Sequence, residues 1–216
     1  MINPSTLVFL SQLAENNDKD WFQAHKEEYK TLAKEFTEFL NTIAAQVAHF
    51  DLAVQRRLND PKTVKVFRIY KDTRFSKDKS PYKTDFSGAI ATGGATSPVY
   101  YLRIEPGNSL AGGGIYMPPP DVLQPIREKI DEDYGTLEEI LGQPKFTAMF
   151  PTGLDREGAL KTAPRGYSAD HPAIDLLRLK SFVASRRFSD AEITQAGFSD
   201  QLLQTYEALS PLNGYL

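Results

Sequence analysis

An apolar period of three to four residues near the start of the chain constrains its fold more than any other feature of the sequence. Charged residues such as Glu28 and Lys34 interrupt the apolar positions. The periodic apolar residues are Phe22, Tyr29, Leu32, Ala33, Phe36, Phe39, Leu40, Ile43 and Val47. The carboxylate of Asp18 can accept from the free N–H groups of a first helical turn. The pattern therefore predicts one long amphipathic helix that begins after Asp18 and packs along one side.

Short β-branched and aromatic segments follow, separated by turn residues. The predicted strands are Val64–Tyr70, Phe86–Ala91, Val99–Glu105, Ile115–Met117 and Leu179–Phe188. Pro106 and Gly107 supply the φ angles of a β-turn, so we expect a hairpin between the third and fourth strands. Residues 112–114 are all glycine, without the Gly-Lys-Ser/Thr ending of a phosphate loop. A tight hairpin or a close backbone approach explains them better.

The order of these elements indicates the fold class. The strands run consecutively, and helices are predicted at both ends of the chain, including one that starts at a capping box formed by Ser189 and Glu192. This arrangement favours an α+β fold, with a mostly antiparallel sheet flanked by N-terminal and C-terminal helices, over alternating βαβ units. With 216 residues and no linker or repeat, residues 1–216 are expected to form a single globular domain.

Composition excludes several kinds of function. A net charge of −3 does not attract the chain as a whole to nucleic acid or anionic lipid. The absence of cysteine excludes disulfides and thiolate chemistry, and no histidine pair has metal-ligand spacing. We therefore expect no metal and no cofactor. No signal peptide and no apolar run of about 20 residues is found, which predicts a cytoplasmic protein without a membrane partner.

The segment from Lys65 to Lys83 concentrates positive charge. Its basic residues are Lys65, Arg68, Lys71, Arg74, Lys77, Lys79 and Lys83, opposed only by Asp72 and Asp78. On the predicted strand, the side chain of Arg68 shares a face with apolar neighbours and would be partly desolvated. A guanidinium in that position needs either an internal acid or a bound anion.

The loop after Lys71 adds hydrogen-bond donors and rings to these charges. Ser76, Lys77 and Ser80 offer donors, and Tyr70, Phe75 and Tyr82 can stack on a ligand ring.

A second cluster contains Lys161, Arg165 and His171. The Asp170-His171 pair can act as an acid or base near neutral pH, or simply form a turn that leads into a helix from Pro172. The residues predicted to bind a ligand are Arg68, Tyr70, Lys71, Arg74, Lys77, Lys79, Tyr82, Lys83, Lys161, Arg165 and His171. No catalytic residue is predicted, and whether the protein is an enzyme stays open.

Several of these motifs resemble the bacterial and fungal family catalogued as domain of unknown function 2461. The residues that carry the resemblance are Asn16, Asn17, Trp21, Phe22, Tyr29, residues 67–72, 74–79, 81–83, 105–107, 112–114, 164–167, 170–172 and 176–178. The resemblance covers nearly the whole chain and implies one globular domain. It implies no particular activity.

Three functions remain open from the sequence. The first is a pocket for a phosphorylated or carboxylated small molecule, at which the two basic clusters converge. The second is nucleic-acid binding, which the interleaved aromatics and cations favour and the net negative charge disfavours. The third is a protein-interaction or structural domain, in which the basic segment is an internal salt-bridge brace. The oligomeric state is not predicted.

Overall fold

Helices at both ends of the chain flank one antiparallel sheet in the computed structural model, which describes residues 1–74 and 77–216. The N-terminal helices are α1 (Pro4–Glu15), α2 (Lys19–Ala24), α3 (Lys26–Val47) and α4 (Leu52–Gln55). The strands are β1 (Val64–Val66), β2 (Phe86–Ala91), β3 (Val99–Ile104), β4 (Ser109–Ile115) and β5 (Phe182–Phe188). The remaining helices are α5 (Pro120–Glu132), α6 (Tyr134–Gly142), α7 (Pro144–Met149), α8 (Ile174–Leu177), α9 (Asp190–Thr194) and α10 (Phe198–Tyr215). The predicted α+β class is confirmed.

The single long helix predicted after Asp18 is interrupted. Asp18 does cap α2, because its carboxylate accepts from the backbone N–H groups of Asp20 and Trp21. At His25 the backbone leaves the helical region, with φ −105° and ψ 15°, and α3 starts one residue later. The carbonyl of Trp21 accepts from both the backbone N–H of His25 and its ring Nδ1, at 3.2 and 2.8 Å. The backbone and ring donors of His25 thus share one carbonyl acceptor at the break between α2 and α3.

The five strands pair in chain order, each antiparallel to the next. Several predicted strand bounds were wrong: β1 ends at Val66, β3 ends at Ile104, β5 begins at Phe182, and β4 spans Ser109–Ile115 instead of Ile115–Met117. The glycine run therefore lies inside β4, between two paired strands. A Cβ on Gly113 would lie 2.5 Å from the carbonyl oxygen of Val99 on β3, so the close approach explains the glycine.

Helices α3 and α10 cover one face of this sheet. Leu40 of α3 and Leu209 of α10 lie against Gly88 and Gly113, on the same face. Tyr100, fully buried on that face, donates a 2.6 Å hydrogen bond to Asp51. Buried residues from both ends of the chain form one hydrophobic cluster. Among the residues described, no helix is both long and apolar enough to cross a membrane.

We expect Gly113→Ala to destabilise the protein by about 1–3 kcal/mol, because the added methyl group meets strand backbone that cannot move aside. Urea denaturation measures the change. Gly94→Ala is the matched control, since its Cβ would meet no atom within 4 Å. Equal effects of the two substitutions would contradict the proposed packing constraint in β4.

Candidate functional site

The β1–β2 hairpin continues beyond the sheet in residues 67–74 and 77–85, here called the hairpin arm. Hydrogen bonds hold its two sides together: the N–H of Lys71 donates to Pro81 at 2.9 Å, and the N–H of Lys83 donates to Ile69 at 2.7 Å. Val66 pairs with Gly88, whereas Tyr70 pairs with Tyr82. Three residues thus lie on the outgoing side and five on the returning side. The two extra residues form a bulge that changes which side chains point outward.

Asn17 fastens the hairpin arm to the loop before α2. Its amide nitrogen donates to the carbonyl of Tyr82, and its amide oxygen accepts from the N–H of Tyr82, both at 3.0 Å. The side chain thereby pairs with this strand as a neighbouring backbone would. The ring of Phe22 stacks on Tyr82 with centroids 4.0 Å apart, and burial raises the pKa of Tyr82. Tyr82 is 3% exposed and belongs to the core, not to a ligand surface.

At the tip of the arm, residues 71–74 and 77–80, three cations are engaged by neighbouring groups. The Lys71 ammonium lies 2.7 Å from Asp78, and Arg74 donates two hydrogen bonds to Asp72 at 2.9 and 2.6 Å. Lys79 donates to the carbonyl of Thr73. The hydrogen bond from Lys71 lowers the pKa of Asp78, and that from Arg74 lowers the pKa of Asp72. Much of the predicted anion site is therefore internally paired.

The expectation that Arg68 is partly desolvated was wrong. Because β1 ends at Val66, Arg68 lies beyond the sheet and its side chain is exposed. Within residues 1–74 and 77–216 it has no carboxylate oxygen within 4.0 Å, although its charge helps to lower the pKa of Asp72. Tyr70 is 44% exposed, and Lys77 is exposed. The predicted contributions of Phe75 and Ser76 lie outside the described residues.

The second predicted cluster lies far from the first. Lys161 and Arg165 are exposed in the segment that packs against α5 and α8, near the start of β5. The hairpin arm extends from the opposite edge strand and the opposite end of the sheet. Four strand spacings of about 4.8 Å separate these edges by roughly 19 Å. The two clusters do not converge on one pocket.

His171 pairs with a residue distant in sequence, not with Asp170. Its Nε2 lies 3.1 Å from a carboxylate oxygen of Asp131 on α5. Its Nδ1 accepts from the backbone N–H of Ala173 at 3.0 Å. The turn alternative is the better description, although α8 begins at Ile174 and not at Pro172.

The sheet face opposite α3 and α10, here called the open face, carries the other candidate site. Strand register arranges its side chains in rows. One row runs Phe67, Ser87, Arg103, Leu110 and Arg187. The next runs Lys65, Ala89, Tyr101, Gly112 and Ser185. Lys65, Ser185 and Arg187 are exposed, whereas Phe67, Tyr101 and Leu110 are half-buried.

Two lysines share the ring of Phe67 at the β1 edge of this face. The Nζ atoms of Lys65 and Lys83 lie 5.5 and 5.8 Å from the ring centroid, in cation–π geometry. Tyr101 lies beside Phe67 with centroids 6.3 Å apart. Burial raises the pKa of Tyr101, against the opposing effect of a hydrogen bond with Ser87. This edge therefore combines two cations with two adjacent rings.

The β5 edge of the open face carries arginine. Arg187 is exposed and donates to the side-chain oxygen of Asn108. Arg103 lies 3.4 Å from Glu105 and donates to the carbonyl of Asn108 at 3.2 Å. Glu105 in turn accepts from the Asn108 amide at 2.7 Å. Glu105 is thus neutralised by Arg103, which leaves the charge of Arg187 available.

A cleft of about 350 Å³ lies between α1, the hairpin arm and the β3–β4 turn. Ser11, Glu15, Thr84 and Glu105 are among its lining residues. Two carboxylates in one shallow cleft disfavour an anionic ligand there. In the described part of the chain, no group of three or more His, Asp or Glu side chains is arranged to hold a metal ion.

Sequence reasoning missed several residues of these sites. Asn17 stood in the motif but was given no structural role, and Lys65 was counted as a charge without being placed in the site. Tyr101 and Arg103 alternate with buried Tyr100 and Leu102 in β3, which is a signal for two outward residues. Only the register of β3 with β4 and β5 places Arg187 in the same row as Arg103.

Comparison with known proteins gives a family without a named activity. A family model described as "Conserved hypothetical protein (DUF2461)" matches residues 5–215. No curated protein and no solved structure matches the chain.

We expect Asn17→Ala to lower the free energy of unfolding by about 2 kcal/mol, because both backbone groups of buried Tyr82 lose their partner. Urea denaturation checks this. Asn16→Ala is the control: Asn16 is exposed and donates one hydrogen bond to Gln12, so its loss should stay below about 0.5 kcal/mol. If both variants lose the same stability, the hairpin arm does not depend on Asn17.

Proposed function

The chain belongs to the DUF2461 family, and we propose that its open face binds an anionic small molecule that carries a flat ring. The anion is a phosphate or carboxylate held by Lys65 and Lys83. The ring of the ligand stacks beside Phe67 and Tyr101. The proposal covers binding and includes no chemical step.

The shared position of Lys65 and Lys83 carries this proposal. Both ammonium groups lie within 6 Å of one ring centroid, and among the described residues neither has a carboxylate oxygen within 4.0 Å. Both positive charges lie close to the same ring, so an anion bound beside that ring gains Coulomb attraction from each of them. A phosphate or carboxylate accepts hydrogen bonds from several ammonium donors at once.

The contrast with the tip supports the choice of site. At the tip, Lys71 and Arg74 hold the carboxylates of Asp78 and Asp72. A ligand there would have to displace carboxylates that are already in hydrogen-bonding contact. On the open face, a ligand meets cations without such competitors. Of the ligand-binding residues predicted from the sequence, the proposed site therefore retains Lys83, and Lys65 is added to it. The tip of the hairpin arm acts as a structural brace.

The rings of Phe67 and Tyr101 indicate what the uncharged part of the ligand must be. Phe67 and Tyr101 lie at an interplanar angle of 46°, both half-buried, on the face of the sheet opposite α3 and α10. Flat faces of this kind stack on planar groups and contribute about 1–3 kcal/mol per nucleic-acid base. Charge alone would bind any anion, whereas the rings select one that is also planar.

The protein-interaction alternative loses its expected support. A largely exposed apolar stripe on the long helix would favour it. In α3, Leu32, Phe36, Leu40, Ile43 and Val47 are all buried against the rest of the protein. The helix uses its apolar side for the core.

We expect adenosine 5′-monophosphate, as a probe with phosphate and ring, to raise the melting temperature at low salt. Adenosine or inorganic phosphate alone should raise it less, because a ligand that binds only the folded state stabilises that state more when its affinity is higher. The double variant Lys65→Gln/Lys83→Gln should lose the shift, and isothermal titration calorimetry should show affinity lowered about tenfold or more. Arg74→Gln is the matched control and should retain the binding.

The reverse pattern would overturn the proposal. If Arg74→Gln abolishes binding and the double lysine variant does not, the ligand lies at the tip. If no phosphorylated or carboxylated ring compound binds the wild type, the open face is not a small-anion site. Both variants change exposed or half-buried side chains, and unchanged circular dichroism would show that they remain folded.

A further inference from the structure

We propose that the natural ligand of the open face is a single-stranded nucleic acid that crosses the sheet from β1 to β5. This inference rests on the proposed function, because the strand's first nucleotide would occupy the site at Lys65, Lys83 and Phe67. It adds a second contact at Arg187 and an extended path between the two. A mononucleotide uses only the first part of this path.

The spacing of the exposed cations supports a ligand longer than one nucleotide. Lys65 lies on edge strand β1 and Arg187 on edge strand β5. Four strand spacings separate the backbones of these strands by roughly 19 Å. At about 3.4 Å per stacked nucleotide, that distance corresponds to about five or six nucleotides, and to fewer if the strand is stretched. One small anion cannot contact both edges.

Small residues on the open face between β1 and β5 allow a ligand to approach the sheet closely. Ala89 and Gly112 flank Tyr101 in its row, and Ser87 lies next to Arg103 in the other. Ser87 and Ala89 are buried between taller neighbours, and Gly112 has no side chain. The larger side chains of Phe67, Tyr101, Arg103 and Leu110 border these small residues on the same face. Bare antiparallel sheets bind single strands in this way, with aromatic side chains stacking on two or three bases.

The charge at the far edge is free to meet phosphate. Among the described residues, Arg187 has no carboxylate oxygen within 4.0 Å, and its hydrogen bond to Asn108 leaves other guanidinium donors unused. Asp85 and Glu105 both act electrostatically on Tyr101 and raise its pKa, and Glu105 is paired with Arg103. Lys65, Lys83 and Arg187 therefore give the path a positive charge at both ends.

A single strand fits this face better than a duplex. Stacking on Phe67 and Tyr101 requires bases whose planar faces are accessible, and paired bases in a helix hide theirs. Contact with phosphates also makes the affinity fall with salt, by about 0.7 logarithmic units per contact for single strands. Three contacts predict a slope of about −2 in a plot of log affinity against log salt.

The experiment measures the affinity of the full chain for unlabelled oligothymidylates of about three, six and nine nucleotides, by calorimetry at low salt. We expect the affinity to rise up to about six nucleotides and then to level off, as the path fills. A duplex of equal length should bind at least about tenfold more weakly, since its bases are not free to stack.

Two variants and a matched control separate the parts of the path. Arg187→Gln should lower affinity for the six-nucleotide strand about fivefold and reduce the salt slope by about 0.7, without changing adenosine monophosphate binding. Phe67→Leu should weaken both ligands about tenfold through lost stacking. Arg165→Gln, an exposed arginine at the far corner of the molecule, should change neither.

Each result decides between the two proposals. If adenosine monophosphate binds but affinity is independent of strand length and of Arg187→Gln, the strand path is overturned and the small-anion site stands. If neither ligand binds, both fail. If heparin or anionic lipid vesicles bind as tightly as the six-nucleotide strand and Phe67→Leu has no effect, the face is a general anionic-partner surface, and the nucleic-acid inference is overturned.

Discussion

The burial of one face of the sheet beneath α3 and α10 is the constraint on which the rest of the structure depends. Leu40 lies against Gly88 and Leu209 against Gly113, where an added Cβ would lie 2.5 and 3.2 Å from their Cδ1 atoms. Side chains alternate along a strand, so covering this face sends every second residue to the other side. The open face is therefore a direct consequence of the core. Its half-buried Phe67 and Tyr101 are apolar surface that the core does not use.

The hairpin arm shows why a count of charges does not locate a binding site. Seven cations and two acids lie between Lys65 and Lys83. The ion pair of Arg74 with Asp72 is largely exposed, and such pairs contribute little to stability. The pair instead limits ligand binding at Arg74, because a guanidinium that donates to two carboxylate oxygens has fewer donors left for a ligand. The cations that lie away from the two acids, over Phe67, stay available.

The sequence predicted the α+β class, the antiparallel sheet and the capping box at Ser189, because each follows from local periodicity or from a local hydrogen bond. It did not predict the end of β1, since residues 64–70 alternate whether or not a bulge follows. It also missed most of β4. Glycine has no side chain to give a pattern, and only the neighbouring strands show why Gly113 is needed there.

The candidate site was harder to predict because its residues come from separate strands. Lys65 and Lys83 meet at Phe67 only because the two sides of the hairpin arm are offset by the bulge. Arg187 joins the row of Arg103 through two further strand pairings. No residue spacing within one segment of the sequence predicts these contacts between strands. By contrast, Asp72 and Asp78 lie within a few residues of their partners, and a local search for acids finds them.

Segregation of charge explains how a chain of net charge −3 can present a cationic face. Exposed Glu27, Glu28, Glu35 and Glu38 lie on α3, which packs on the other face of the sheet. Because the apolar side of α3 meets the sheet, its acidic side points away from the open face. The helix, about 10 Å in diameter, and the sheet separate these acids from Lys65 and Lys83, so the charges closest to the open face have the larger effect on what binds there.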